Sequence, residues 1–108
     1  MTNYLEARCE KRAAAMGEAA VRDHLAQSSG WRQSGGAIEK HFTFKGWLET
    51  VAFVDALAWI CHVEDHHPEL SVSYDRCTVR FSTHSADGIT RNDFVCAAKA
   101  DALVAFVG

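Results

Sequence analysis

Residues 38–68 read IEKHFTFKGWLETVAFVDALAWICHVEDHHP, and the change of rhythm inside this run decides the fold. Ile38, Phe42 and Phe44 fall on one side of an alternation, with Glu39, His41, Thr43 and Lys45 on the other. Period 2 with one polar side is a strand with one wet face. Gly46 breaks it. From Trp47 the apolar positions Trp47, Val51, Val54, Ala58 and Cys61 recur at i, i+3/i+4, flanked by Phe53, Leu57 and Ile60. That spacing predicts a helix to about Asp65, buried on one side. Proline lacks the N–H a helix interior needs, so Pro68 stops the helix by about His67.

Working upstream, residues 3–27 are rich in Ala, Glu and Arg, with apolar positions at Leu5, Ala13, Met16, Ala20, Val21 and Leu25. They predict an amphipathic helix, interrupted near Gly17 and ended by Ser28-Ser29-Gly30. Trp31 opens a short extended segment, and Ser34-Gly35-Gly36 has the chemistry of a hairpin turn. Downstream, Leu70, Val72 and Tyr74 alternate with serines, which predicts a third strand ending at an Asp75-Arg76 turn. In the fourth strand Cys77, Val79, Phe81 and Thr83 face one way, and Arg80, Ser82 and His84 the other. Ser85–Gly88 is a loop. Thr90-Arg91-Asn92-Asp93 is a capping box with Asp93 in the glutamate's place, opening a last helix to about Phe106. Its expected core stripe is Val95, Ala98, Ala102 and Phe106, beside Phe94 and Leu103.

The order α-β-β-α-β-β-α describes a two-layer α+β domain: a four-stranded antiparallel sheet with helices packed on one face. We read residues 1–108 as a single domain, with an N-terminal helix over 1–28 and the core over 30–108. The apolar share of 48% and charged share of 23% are those of a globular protein. A net charge of −3, with the basic residues scattered, argues against nucleic-acid binding. The four cysteines show no CxxC spacing, which argues against a disulfide framework or a cysteine zinc site. With no signal peptide and no long apolar run, the expected setting is cytoplasmic and reducing, away from membranes.

Four of the six histidines, His62, His66, His67 and His84, fall within one short span of the chain. Imidazole titrates at about 6.5, so it can both give and take protons near neutrality. His62 and His66 have the i, i+4 spacing of metal ligands. HVEDH is not HExxH, however, because Glu64 sits one position too late to serve a zinc-bound water. The metal reading, with His62, His66 and His84 as ligands, is therefore the weaker one. The stronger one is metal-free acid–base catalysis around a polar substrate.

The spacing His62-x3-His66-His67-Pro68-x5-Tyr74-x9-His84-x8-Asp93 resembles the signature of the pterin-4a-carbinolamine dehydratase family. Gly30-Trp31, Phe44-Lys45-Gly46-Trp47, Ser82-Thr83-His84 and Gly88-Ile89-Thr90 extend the resemblance over about residues 30–103. It implies dehydration of 4a-hydroxytetrahydrobiopterin to quinonoid dihydrobiopterin in tetrahydrobiopterin recycling, with no metal or redox cofactor. It implies catalytic roles for His66, His67 and His84. His66 and His84 would handle protons while His67 positions the substrate. Asp65, Ser82, Thr83 and Ser85 match positions lining the pterin pocket. His62 stands where many members carry a carboxylate, and is expected to modulate rather than catalyse. We read Asp93 as a helix cap and Tyr74 as packing. The resemblance also implies a homodimer or homotetramer. A transcription-factor partner, known for some animal members, has no support in this sequence, and a non-catalytic dimerisation module would not need the histidines.

Overall fold

The computed structural model describes residues 3–107, without the side chains of Phe106 and Val107. Phe106, expected in the last helix's core stripe, thus lies outside the described side chains. The elements are α1 (Glu18–Ala26), β1 (Arg32–Ser34), β2 (Ala37–Thr43), α2 (Trp47–Glu64), β3 (Glu69–Ser73), β4 (Arg76–Phe81), a 3-10 turn at His84–Ala86, and α3 (Arg91–Val107). The strands form one antiparallel sheet in the order β1-β2-β4-β3. This is the expected α+β architecture.

Pairing of Ser34 with Ala37 leaves Gly35-Gly36 as the two-residue hairpin turn, and Gly35 takes φ +61, which suits a residue without Cβ. Register places Ile38 beside Phe81, Phe42 beside Cys77, and Lys40 beside Val79. These positions, Lys40 aside, are buried and meet Phe53 and Leu57 of α2 and Phe94, Cys96 and Ala100 of α3 in one core. The opposite face carries the linked charges of Arg32, Glu39 and Arg80.

Several expectations need correction. The N-terminal helix covers only Glu18–Ala26, and residues 3–17 form an irregular arm. Groups that would close helical turns are instead taken by distant partners. Cys9 N–H donates to Glu64, Glu10 N–H to Asn92 Oδ1, and Met16 N–H to the Ile89 carbonyl. Tertiary bonds outweigh a modest helix propensity here.

In α2 the buried residues are Thr50, Phe53, Leu57 and Cys61, rotated from the expected stripe, and Trp47 and Val51 are exposed. The helix is apolar around most of its girth, so periodicity alone could not choose the face. In α3 the buried apolar positions are Phe94, Val95, Cys96, Ala97 and Ala100, and Ala98 and Ala102 are only half-buried. The β3–β4 turn is Tyr74-Asp75, because Ser73 pairs with Arg76. Leu70 and Val72 do share the core-facing side, opposite Val79 and Cys77, yet β3 is an edge strand and leaves both partly exposed. Tyr74, expected to pack, is 67% exposed.

Candidate active site

The site begins at the C-terminus of α2. Asp65 adopts the left-handed conformation (φ 52), and His66 N–H reaches back to the Cys61 carbonyl. This closes the helix one turn before Pro68, with aspartate tolerated where glycine is commonest. The chain then reverses, and His66 is turned into the protein, its ring stacked on Phe81 with centroids 6.0 Å apart.

There His66 Nε2 donates to Asp93 Oδ1 at 2.6 Å, and Asp93 is fully buried. Asp93 Oδ2 accepts from the Thr90 backbone N–H at 2.9 Å and from Thr83 Oγ1 at 3.0 Å. Thr83 and Thr90 hydroxyls meet at 2.8 Å. Asp93 does cap the helix, with the Thr90 hydroxyl accepting from the Asn92 N–H at 3.1 Å, but the cap uses only one carboxylate oxygen. The other holds His66, a role that reading Asp93 as a cap alone had missed. The available signal was a carboxylate at the start of an apolar helix, the same signal any capping residue gives.

Burial works against the charged form of His66, but the hydrogen bond and charge of Asp93 outweigh it, and Asp65 acts the same way. The net effect raises the imidazole above its ordinary 6.5. Nε2 is committed to Asp93, while Nδ1 makes no hydrogen bond among the described residues and is not a buried orphan.

His66 lines a cavity of about 380 Å³ together with Asp65, Thr83, Ser85, Asn92 and the arm residues Cys9, Glu10 and Lys11. Glu64 fixes that arm: its side chain, only 5% exposed, accepts from Cys9 N–H at 2.8 Å and Arg8 Nε at 2.7 Å. Burial opposes its ionisation, but these two donors hold the carboxyl below the usual range. So Glu64, unsuited to zinc, has a structural use that the sequence did not reveal.

His84 does not sit on a strand, as its alternation suggested. β4 ends at Phe81, and His84 opens the short 3-10 turn, exposed to solvent. Thr83 pairs with Gly88 across this turn, and Asp87 takes φ 52 to close it. His84 lines a second hollow of about 190 Å³ with Ser82, Thr83, Arg80 and Glu69. Thr83 is common to both hollows, so His66 and His84 stand on adjoining sides of one buried threonine. The structure thus gathers Asp65, His66, Thr83 and Ser85 around one hollow, and Ser82, Thr83 and His84 around its neighbour. His67 is exposed and lines neither. His62 is on the outer surface of α2, edge-on to Trp59 with centroids 6.2 Å apart. Among the described residues, no three His, Cys, Asp or Glu side chains converge as metal ligands would. Nor is any helix there long and apolar enough to cross a membrane.

Comparison with known proteins follows the same outline. The family model described as Pterin 4 alpha carbinolamine dehydratase matches residues 14–103. A protein of Stenotrophomonas maltophilia (strain K279a), provisionally named pterin-4-alpha-carbinolamine dehydratase, is 52% identical over 103 residues. That alignment covers 91% of this chain and 89% of the relative. A Nitrosospira multiformis protein of the same provisional name is 43% identical, over 88% of this chain and 84% of its own. Among solved structures, one described as a transcriptional coactivator/pterin dehydratase from Brucella melitensis superposes with a TM-score of 0.80 at 31% identity. It covers 82% of this chain and 97% of that one. A pterin dehydratase-like protein, described as a RuBisCO assembly factor in the alpha-carboxysome, superposes at 0.60 with 26% identity, over 68% of this chain and 88% of its own. On the extent of the profile match and the identity of these relatives, the chain belongs to the pterin 4 alpha carbinolamine dehydratase family.

Proposed function

We propose that this protein is a 4a-hydroxytetrahydropterin dehydratase, a hydro-lyase that returns the quinonoid dihydropterin and water to a tetrahydrobiopterin recycling route. Family membership supports the reaction class. The observation that carries the mechanism is the buried His66–Asp93 pair, 2.6 Å long, at the wall of a polar hollow.

Dehydration breaks the C4a–O bond, removes the N5 proton and forms the C4a–N5 double bond. The departing hydroxyl needs a proton and N5 must lose one, so one acid and one base suffice. With Nε2 bound to Asp93 and its affinity for protons raised, the His66 imidazolium is the acid, donating from Nδ1 to the leaving hydroxyl. The solvent-open imidazole of His84, across Thr83, takes the N5 proton. Asp65, Ser82, Thr83 and Ser85 offer polar contacts to the pterin ring, and His67, exposed and outside both hollows, meets the substrate only on its approach. His62 acts only indirectly, through α2. A non-catalytic dimerisation module would gain nothing from a buried imidazole–carboxylate pair. The protein is a homo-oligomer in this reading. The unpaired edge of β3 and the exposed Leu48, Trp59 and Val63 of α2, 79%, 68% and 59% accessible, support a second copy as the partner.

Stopped-flow measurement of carbinolamine dehydration tests the assignment. Positioned acid–base groups contribute about 10²–10⁴-fold, so His66→Ala and His84→Ala should each lose that much of kcat. Near wild-type rates in both variants would end the assignment.

A further inference from the structure

The wall of the His66 hollow contributed by the N-terminal arm has chemistry that dehydration does not use. Cys9 Sγ lies 3.6 Å from Cys96 Sγ on α3, and 3.8 Å from the Asn92 carbonyl oxygen. Cys96 is fully buried, whereas Cys9 is half-buried and lines the hollow. A disulfide is about 2.05 Å long, so closing this gap asks for a shift of about 1.5 Å. Cys9 lies in no helix or strand, so the shift breaks no helical or ladder bond; with the Cys9 N–H held by Glu64, it falls on the two side chains and a small displacement of the arm.

The two thiols are also differentiated. The two sulfurs are within hydrogen-bond distance, and this bond lowers the Cys9 thiol below its ordinary value against the effect of burial, with His66 helping. The same bond, together with burial, pushes Cys96 up. Cys61 and Cys77 are raised by burial to about 12 and about 11, and neither bonds to another sulfur among the described residues. Cys9 is thus the accessible nucleophile and Cys96 the resolving partner, the arrangement of a redox-sensing pair.

We propose that Cys9 and Cys96 form a hydroperoxide-responsive dithiol whose disulfide fastens the N-terminal arm to α3 along the wall of the His66 hollow. The Cys9 thiolate attacks one peroxide oxygen, the O–O bond breaks, and hydroxide leaves and is protonated to water. The Cys9 sulfenic acid is then attacked by the Cys96 thiol. The S–S bond forms, the S–O bond breaks, and the oxygen departs as a second water with the Cys96 proton. Two thiols lose two electrons in all, and the peroxide gains them. A thiol reductant reverses the step. The proposal does not depend on dehydratase activity.

The test treats the reduced full-length protein with stoichiometric hydrogen peroxide, then alkylates it in denaturant. Oxidised protein should take two N-ethylmaleimide groups where the reduced protein, with four cysteines, takes four. Digestion should yield a Cys9–Cys96 linked peptide that dithiothreitol releases. Cys9→Ser should abolish the link, and Cys96→Ala should leave a Cys9 sulfenic acid that dimedone traps, while Cys77→Ser should leave the link intact. Tryptic cleavage after Lys11 or Arg12 should slow at least tenfold on oxidation. Four alkylated thiols after peroxide, a link to Cys61 or Cys77 instead, or unchanged cleavage of the arm would each overturn the proposal.

Discussion

Replacing Asp93 with asparagine should destabilise the protein far more at acid than at alkaline pH. Asp93 is fully buried, His66 nearly so, and their bond is 2.6 Å. Charge-assisted hydrogen bonds contribute about 1.5–3 kcal/mol net, and asparagine retains a carbonyl oxygen for the Thr90 N–H. The cap therefore survives, and the expected loss is about 2–3 kcal/mol at pH 5.5, below the cost of stranding a buried charge outright. In the native fold His66 titrates above its unfolded value of about 6.5. Its stabilisation is complete below that unfolded value and fades as pH rises through the raised native one. The penalty of Asp93→Asn should thus shrink markedly by pH 9. Urea denaturation of both proteins at pH 5.5 and 9, at one protein concentration, measures it. An equal or larger penalty at pH 9 would show that His66 is not held as a charged partner of Asp93.

Glu64→Gln should weaken the hold on the arm, costing about 1–2 kcal/mol through the Cys9 N–H and Arg8 bonds, and should speed tryptic cleavage near Arg8 and Lys11. Urea midpoints and digestion time courses check both effects, and a silent variant would contradict the anchoring role. Trp59→Glu, placing a charge in the exposed apolar face of α2, should reduce the mass found by light scattering toward one chain. An unchanged mass would remove that face from the oligomer contact. His62→Glu should change the stability read by urea denaturation by no more than about 0.5 kcal/mol, and should leave kcat close to wild type because His62 lines neither hollow.

The architecture was legible because β2 and β4 alternate cleanly and Pro68 marks where α2 must already have ended. The face of α2 was not, since its outer side carries Leu48, Trp59 and Val63, as apolar as the core side with Phe53 and Leu57. Helical composition over residues 3–17 misled for a different reason. The partners that hold that arm in its irregular course, Glu64 and Asn92, lie more than fifty residues away. Of the candidate site, residue type and spacing singled out four histidines, of which His66 and His84 line the two hollows and His62 and His67 line neither. Asp93 was not singled out, because a capping residue and a residue holding an imidazole look alike until His66 is seen to turn inward at Asp65. His84's place on a tight turn, instead of a strand, likewise depends on the Thr83–Gly88 pairing, which no alternation pattern encodes.

A structure with a bound dihydropterin tests the central claim most directly. The ring should lie against Thr83, with His66 Nδ1 and the His84 imidazole each within about 3.2 Å of the C4a–N5 edge or one water from it. A pterin seated elsewhere, or one that leaves both imidazoles out of that reach, would contradict it.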